Sequence, residues 1–376
     1  MAMGGLTRRG FLESSLSVLV VRALAKLDAP SGAEPSGIVP FVDEPDVPMD
    51  TLYGDGLDGR LNTDLSKLSE QSPVVDSVRF FVRTRFPERL ALPTSWKIRV
   101  SGAVKRPPEW SAEALDREAE DCGVHVMDCA GNTRARRFGL IGEARWRGVP
   151  LSRLLPQLEP SRKGTRIRIS GFDRRAPAGT SARDGSWVFD FEDLVSTKAF
   201  LATGLDGKPL SKDHGAPVRL VVPGWYGCAS VKWVDGLVLV DRQVEATAQM
   251  KEYASRTNQD GLPVLARDYR PPRVEPAALP IRVEQWKRSG RIFYRIAGIA
   301  WGGIGSTDAL SIQLGPDSQA RSVAVSAPGT GWTIWTHEWT PARAGTYPIL
   351  LSLTDRERAR RLSSGLYTRS VNITQI

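Results

Sequence analysis

Val124-His125-Val126-Met127-Asp128-Cys129-Ala130-Gly131-Asn132-Thr133-Arg134 is a short apolar run that ends in a turn of small and polar residues. Val124 to Met127 reads as a strand, and the turn after it presents Cys129 where a side chain can reach a pocket. Arg134, Arg136 and Arg137 follow at once. Positive charge beside a thiol lowers its pKa and favours the thiolate, the form that ligates metals and acts as a nucleophile. Three readings stay open from these residues alone: a metal ligand, a catalytic nucleophile, and a buried inert cysteine.

A second cluster lies downstream. It reads Asp213-His214-Gly215-Ala216-Pro217-Val218-Arg219, then Val222-Pro223-Gly224-Trp225-Tyr226-Gly227, then Ser230-Val231-Lys232-Trp233. His214, Arg219 and Lys232 flank tight turns built from Gly and Pro. Turns with free N–H groups beside cations suit phosphate, although each cation taken singly is equally a surface charge.

Working outward, residues 76–267 alternate strand and loop signals. Arg166-Ile167-Arg168-Ile169 has period two and ends at Gly171. Val218 to Val222 is a strand stopped by Pro223-Gly224, and Val231 to Val240 is a strand broken at Asp235-Gly236. Leu151–Leu158 is one of the short helical stretches. This pattern predicts an α+β domain. Residues 26–75, rich in Pro, Gly, Asp and Ser, predict an irregular lead-in. Residues 268–280 carry Pro271, Pro272, Pro276 and Pro280 and predict a stiff linker. Beyond them, residues 281–376 turn all-β: runs at Arg291–Ile296, Leu310–Leu314, Trp332–Trp335 and Tyr347–Leu353 are separated by Gly and Pro turns, as in a small β-sandwich.

A chain of 376 residues is long enough for two domains and a processed end. Its formal charge of +9 raises the local concentration of anions. The basic residues are scattered, with no basic helix, zinc finger or RNA-binding aromatic motif, so nucleic acid is not the expected partner. A buried anionic cofactor or a small anionic substrate fits the charge as well. The three cysteines, Cys122, Cys129 and Cys228, form no Cys-x-x-Cys, which disfavours a zinc ribbon, a thioredoxin-type site and covalent haem attachment. With only three histidines, His125, His214 and His337, no haem is expected, and electrons from a redox site would leave to another protein. If Cys129 binds metal, Cys122 and Cys228 remain, as a disulfide or as free thiols.

The first 25 residues resemble a twin-arginine export signal. Arg8-Arg9 precedes a modest apolar run from Leu16 to Val21 and the small-x-small site Ala23-Leu24-Ala25. Glu13 and Arg22 depart from that pattern, and an amphipathic N-terminal helix is the other reading. The apolar run is too short for a membrane span, so the mature chain is expected to have none. The twin-arginine route carries proteins already folded around a cofactor, and its destination is the periplasm.

Cys-Ala-Gly-Asn-x-Arg, Ala144-Arg145-Trp146-Arg147-Gly148-Val149, Asp-His-Gly-x-Pro-Val-Arg and Val-Val-Pro-Gly…Ser-Val-Lys-Trp occur in this order in the sulfite oxidase family of molybdenum-cofactor oxidoreductases, which the chain resembles from about Phe80 to Lys251. A weaker likeness at Ala300-Trp301-Gly302-Gly303 is similar to the family's C-terminal immunoglobulin-like dimerisation domain. The resemblance implies a mixed α/β molybdopterin-binding domain followed by an immunoglobulin-like sandwich through which a homodimer forms. It implies Cys129 as the protein ligand to molybdenum, the other sulfurs coming from the pterin dithiolene. Phe81-Val82-Arg83 matches a segment whose arginine meets cofactor or substrate, and Asp173 matches a pterin-contacting aspartate. His214, Arg219, Ser230, Val231 and Lys232 match positions that hold the pterin and its phosphate. Arg134 matches a substrate-pocket arginine and Tyr253 an active-site tyrosine. The implied reaction is oxygen-atom transfer, with sulfite oxidised to sulfate and electrons passed to a c-type cytochrome.

Three departures bear on the substrate. The connection from Ala135 to Glu143 is short where the family carries a longer loop with a lysine and a tryptophan. Ser306 stands where an arginine usually follows the C-terminal glycine run, and Thr84-Arg85 replaces Asn-His after the first arginine. Arg83 and Arg134 then remain of three expected anion-binding arginines, with Arg85 or Arg136 as candidates for the third. The alternatives are a reductase of sulfoxides such as protein methionine sulfoxide, and a non-enzymatic binding protein on the same fold.

Overall fold

Arg166–Gly171 buries nearly every residue, and Val234–Val240 lies beside it with its own side chains alternately buried and half-buried. Strands covered on both faces read as continuous apolar runs, and strands covered on one face alternate. The computed structural model describes residues 29–376 apart from residues 43, 70, 71, 178, 183, 304–308, 316, 317 and 326–330. The expected export signal over residues 1–25 and the substitution at Ser306 lie outside the described residues. The chain divides into two units: Asp46–Asp64 with Val74–Val274, and the described residues up to Pro45 with Leu65–Pro73 and Glu275–Ile376.

The first unit holds two five-stranded sheets. One runs in the order Glu109–Ser111, Lys97–Gly102, Val234–Val240, Arg166–Gly171, Ser186–Asp190. Val234–Val240 is parallel to Lys97–Gly102 and antiparallel to Arg166–Gly171. The expected break at Asp235-Gly236 is a bulge, a register shift between Val234 and Gly236 inside a continuing strand. The other sheet runs Arg219–Val221, Phe200–Leu205, Ile141–Pro150, Glu120–Asp128, all antiparallel, with Lys208–Pro209 paired to Phe200–Leu205. Helices are short. Ala112–Glu118 begins at Ser111, whose Oγ accepts from the Ala114 N–H, and Ala248–Tyr253 begins at Thr247, whose Oγ1 accepts from the Met250 N–H. An apolar core cluster in this unit contains Trp96, Phe172, Trp187, Trp225 and Trp233.

The second unit is β-rich. One four-stranded sheet runs Glu34–Val39, Ala277–Arg288, Arg291–Trp301, Thr333–Trp339, and the other runs Arg321–Val323, Leu310–Leu314, Gly345–Leu353, Arg369–Ile373. Every pairing is antiparallel. Arg288 and Arg291 close a two-residue hairpin in which Ser289 and Gly290 both have positive φ, a geometry that matches strand twist. The strand Ala277–Arg288 takes in the end of the expected linker. Pro280 hid it: a proline inside a strand is tolerated only where no ladder bond is needed. Here the register shifts between Pro280 and Arg282, and the pairing to Glu34–Val39 stops at Val283. The lead-in is likewise not irregular throughout, since Glu34–Val39 is an edge strand and Leu57 and Leu61 are buried in the first unit.

Inside the β-rich unit Glu284 is 1% exposed. Its carboxylate takes 2.7 Å and 2.6 Å bonds from the Nε groups of Arg282 and Arg295, and the Trp286 Nε1–H donates to it at 2.8 Å. Burial pushes this carboxyl up, but the Arg295 and Arg282 guanidiniums outweigh it and hold it below the ordinary value. Glu284→Ala removes the carboxylate that two buried cations share and is expected to destabilise this unit by roughly 3–5 kcal/mol in denaturant unfolding. Because the folded pKa is depressed, the stabilisation is present above the unfolded glutamate value, about 4.3, and is lost as pH falls through the folded one. Equal unfolding midpoints for variant and parent at pH 7 would contradict this.

Candidate active site

Cys129 stands one residue beyond the strand Glu120–Asp128. Its N–H donates to the Leu140 carbonyl at 3.0 Å, and its own carbonyl accepts from the Asn132 N–H at 2.8 Å, closing the turn. Asn132, fully buried, locks that turn: its Oδ1 accepts from the Leu140 N–H at 3.1 Å and its Nδ2 donates to Asp128 at 3.3 Å. The thiol is 3% exposed and accepts from the Gly131 N–H at 3.4 Å. Burial pushes the thiol pKa up, while Arg83, the Gly131 N–H and Arg256 pull against that rise.

Cys129 lines a small cleft of about 80 Å³. Arg219 projects into it from Arg219–Val221 and Lys232 from the turn before Val234–Val240. Gly215, at φ +106°, fits between them: a Cβ there would meet Arg219 Cβ at 3.0 Å and Lys232 Cβ at 3.2 Å. Only a glycine suits that conformation, and it brings the two cations together. Arg219 is 2% exposed, yet its guanidinium bonds only to the His214 carbonyl at 3.0 Å, the Ser230 carbonyl at 3.2 Å and Met127 Sδ at 3.3 Å, and its Nε has no partner. Burial lowers its pKa to about 9. Lys232 Nζ donates to the carbonyls of Thr84 at 2.8 Å and Asp213 at 2.5 Å, and burial followed by Arg219 pulls its pKa down. Two cations held by neutral oxygens are a site awaiting an anion.

His214 is a strut beneath this pair. Burial, then Lys232, lowers its pKa to about 3, so the ring is neutral. Its Nε2 meets the Phe80 carbonyl at 2.8 Å and its Nδ1 meets Ser211 Oγ at 2.9 Å. A carbonyl only accepts, so Nε2 carries the proton and Nδ1 accepts from Ser211. Across the cleft, Asp173 on the turn Phe172–Arg175 takes the Gly185 N–H on Oδ2 at 2.9 Å, while Oδ1 is buried without a partner. Burial raises its pKa to about 6.

Tyr253 closes the helix Ala248–Tyr253, which is pinned by Gln249 Nε2 donating to the Cys228 carbonyl and by Thr247 Oγ1 donating to the Ser186 carbonyl at 2.6 Å. The phenol is buried, and burial with the nearby Cys129 raises its pKa. Arg83 donates from Nη1 to Ser181 Oγ at 2.9 Å and lies 3.8 Å from Glu252. Behind it, Arg60 donates to the carbonyls of Arg83 at 2.5 Å and Gly59 at 2.8 Å.

Of the residues proposed from sequence, Phe81, Arg83, Cys129, Asp173, Arg219, Ser230, Val231, Lys232 and Tyr253 line one cleft. Val82, Arg134 and His214 do not. Val82 pairs with Leu61 and is buried in the core, and Arg134 begins the turn Arg134–Arg136. Arg85 and Arg136 are engaged elsewhere, donating to the Gly54 carbonyl at 2.7 Å and to Tyr53 Oη at 3.2 Å. All three cysteines are free: Cys228 lines the cleft, and the Cys122 thiol donates to the Gly148 carbonyl at 3.6 Å. Sequence reasoning missed Thr84, Ser181, Gln249, Glu252, Arg60 and Arg256. None of them carries a signal along the chain that sets it apart from the polar residues around it.

The donor set fits a phosphate-bearing, nitrogen-rich cofactor. Arg219 and Lys232 answer an anion, and the orphaned Asp173 Oδ1 answers an N–H. Among the described residues no group of three or more His, Cys, Asp or Glu is arranged to hold a metal, so a metal at Cys129 would need its remaining donors from an accompanying ligand.

Residues 84–248 match the family model of the oxidoreductase molybdopterin binding domain. An NADH nitrate reductase of Solanum lycopersicum is 28% identical over 204 residues, 50% of this chain and 22% of that protein. An NADPH nitrate reductase of Aspergillus niger is 28% identical over 225 residues, 55% of this chain and 23% of that one. The chain thus spans under a quarter of the length of these curated relatives. The crystal structure of the sulfane dehydrogenase SoxCD from Paracoccus pantotrophus shares the fold, with a TM-score of 0.64 and 19% identity, covering 90% of this chain and 91% of that one. The protein carries a molybdopterin-binding oxidoreductase domain. That domain belongs to the sulfite oxidase and nitrate reductase superfamily.

Asp173 yields a prediction for the cofactor-free protein. Its folded pKa of about 6 lies above the unfolded value, so the native state binds more protons between the two and stability falls as pH rises through that window. Asp173→Asn keeps an acceptor for the Gly185 N–H and removes the buried charge. It is expected to raise stability at pH 7 by about 2–3 kcal/mol, the gain vanishing near pH 4. A variant no more stable than its parent at pH 7 would show that the carboxylate is not strained by its site.

Proposed function

We propose that the protein is a sulfite dehydrogenase: it binds a molybdenum cofactor through Cys129, oxidises sulfite to sulfate and passes the electrons singly to a c-type cytochrome. The observation that carries this reading is the placement of Cys129 in one cleft with Arg83, Asp173, Arg219, Lys232 and Tyr253. The bound cofactor supplies two-electron oxygen-atom transfer.

The chain supplies the rest. The Cys129 thiolate is the metal's protein ligand, held in one orientation by the Asn132-locked turn. Arg219 and Lys232 hold the cofactor's phosphate, and neutral His214 keeps the Arg219 end of the site rigid. Asp173 Oδ1 takes an N–H of the pterin. Arg83 steers the substrate's oxygens toward Cys129, and its bond to Ser181 fixes the guanidinium before substrate arrives. The Tyr253 hydroxyl, kept protonated by burial, donates to a substrate oxygen.

The reading extends to the cell. Arg8-Arg9 and Ala23-Leu24-Ala25 support twin-arginine export to the periplasm. The eight antiparallel strands of the β-rich unit support an immunoglobulin-like sandwich and a homodimer formed through it. No described helix is long and apolar enough to cross a membrane. The nitrate reductases among its relatives make nitrate the competing oxyanion.

Cys129→Ser in the natively matured protein is expected to abolish sulfite-dependent reduction of cytochrome c, at least 1,000-fold as an order-of-magnitude expectation, with an unchanged far-ultraviolet circular dichroism spectrum. Retained turnover would remove Cys129 from the mechanism. A wild-type protein that reduces nitrate or methionine sulfoxide with a reduced dye, and leaves sulfite untouched, would overturn the substrate.

A further inference from the structure

Arg83 and Arg256 lie near Cys129 and Arg60 stands behind Arg83; of the three, Arg60 and Arg83 are committed. Arg60 is 7% exposed and spends its donors on the carbonyls of Leu57, Gly59 and Arg83. Arg83 bonds Ser181 and faces Glu252. Arg256 differs. It is exposed, and no described carboxylate or carbonyl lies within bonding distance of its guanidinium. Its position is nevertheless fixed. The turn Ala254–Arg256 continues the helix that carries Tyr253, and buried Thr257 ties it down, donating from Oγ1 to the Tyr253 carbonyl at 2.8 Å. The guanidinium carbon lies 5.6 Å from the centre of the Tyr253 ring. A Cβ placed on Gly131 would meet Arg256 Nη1 at 3.2 Å and Cys129 Sγ at 3.8 Å, so guanidinium and thiol flank the same small space. Glycine at 131 leaves that space open.

We propose that Arg256, exposed beside Cys129 and outside the lining of the cleft itself, is the substrate-anchoring residue, forming with Arg83 a two-guanidinium clamp over Cys129 that selects a small oxyanion with at least two oxygens. The inference rests on the reading of this cleft as an oxyanion site and names the residue that supplies its missing charge. Arg256 has all five N–H donors to offer, in a planar fork that matches paired oxygens, and it bears the charge without a carboxylate to neutralise it. Glu252 is already directed at Arg83 and at the Ala182 N–H, so it does not quench Arg256. A neutral sulfoxide, with one oxygen and no net charge, gains little from such a clamp.

The test uses the molybdenum-loaded protein in two measurements. Sulfate, a product-like oxyanion, is titrated calorimetrically into wild type, Arg256→Gln and Arg256→Lys. Loss of a charge-assisted bidentate contact is expected to weaken sulfate binding on the order of 10- to 100-fold in Arg256→Gln, with partial recovery in Arg256→Lys. The wild-type affinity is expected to fall with added salt more steeply than that of Arg256→Gln, because the group is exposed. In sulfite turnover the loss is expected to fall more heavily on KM than on kcat. Equal sulfate affinity in wild type and Arg256→Gln, or no sulfate binding by wild type, would overturn the proposal. If sulfate binding depends on Arg256 while wild type fails to oxidise sulfite, the clamp stands and the sulfite dehydrogenase reading falls.

Discussion

Buried positive charge without matching negative charge is the constraint around which the larger unit is built. Arg219 is taken out of water and Lys232 is half-buried, and among the described residues their hydrogen bonds go to carbonyl oxygens and a thioether. Each such desolvation costs several kcal/mol unless a counter-charge arrives. The surrounding fold tolerates that cost by rigid means. Gly215 lets the two cations approach, His214 ties their turn to the Phe80 carbonyl, and Ser211 fixes the histidine. That charge balance is chemical information, since an anionic cofactor would complete it.

The same logic bears on the Cys129 thiol. A cysteine fully enclosed in apolar surroundings is inert, because burial favours the protonated form. Cys129 is enclosed, but Arg83, Arg256 and the Gly131 N–H act against that penalty. Metal binding draws on the thiolate, so the guanidiniums that would orient an anionic substrate also favour the ligand form of the sulfur. Asp173 stands in the opposite situation. Its pKa of about 6 marks a carboxylate strained by burial until something donates to Oδ1. Stability surrendered at this site is offset elsewhere, as in the β-rich unit, where Glu284 is fully compensated by two arginines and a tryptophan.

How far the sequence could be read depended on whether a feature was local. The turn after Val124–Met127, the strand Arg166–Gly171 and the cation cluster from His214 to Lys232 each follow from a few adjacent residues, and the structure brings most of them to one cleft. Ala277–Arg288 was partly hidden because Pro280 reads as a breaker, and only the register of the assembled sheet shows that no ladder bond is required there. Arg60 and Arg256 were invisible for a different reason. Arg60 comes from a stretch that reads as irregular lead-in, and Arg256 from beyond the helix that carries Tyr253. Their roles arise from closeness in space to Cys129 and Arg83, which no spacing along the chain encodes. Arg134 is the converse case: next to the cysteine in sequence, it stands outside the cleft lining.

The central claim is that Cys129 and the cations around it hold a molybdenum cofactor that accepts electrons from sulfite. It is tested most directly by assaying molybdenum and pterin in the natively matured protein and following its visible absorption as sulfite is added. The account predicts near-stoichiometric metal and pterin, with a spectrum that sulfite reduces. A correctly matured protein without molybdenum would contradict the cofactor assignment, and a stoichiometric centre that sulfite leaves oxidised would contradict the substrate.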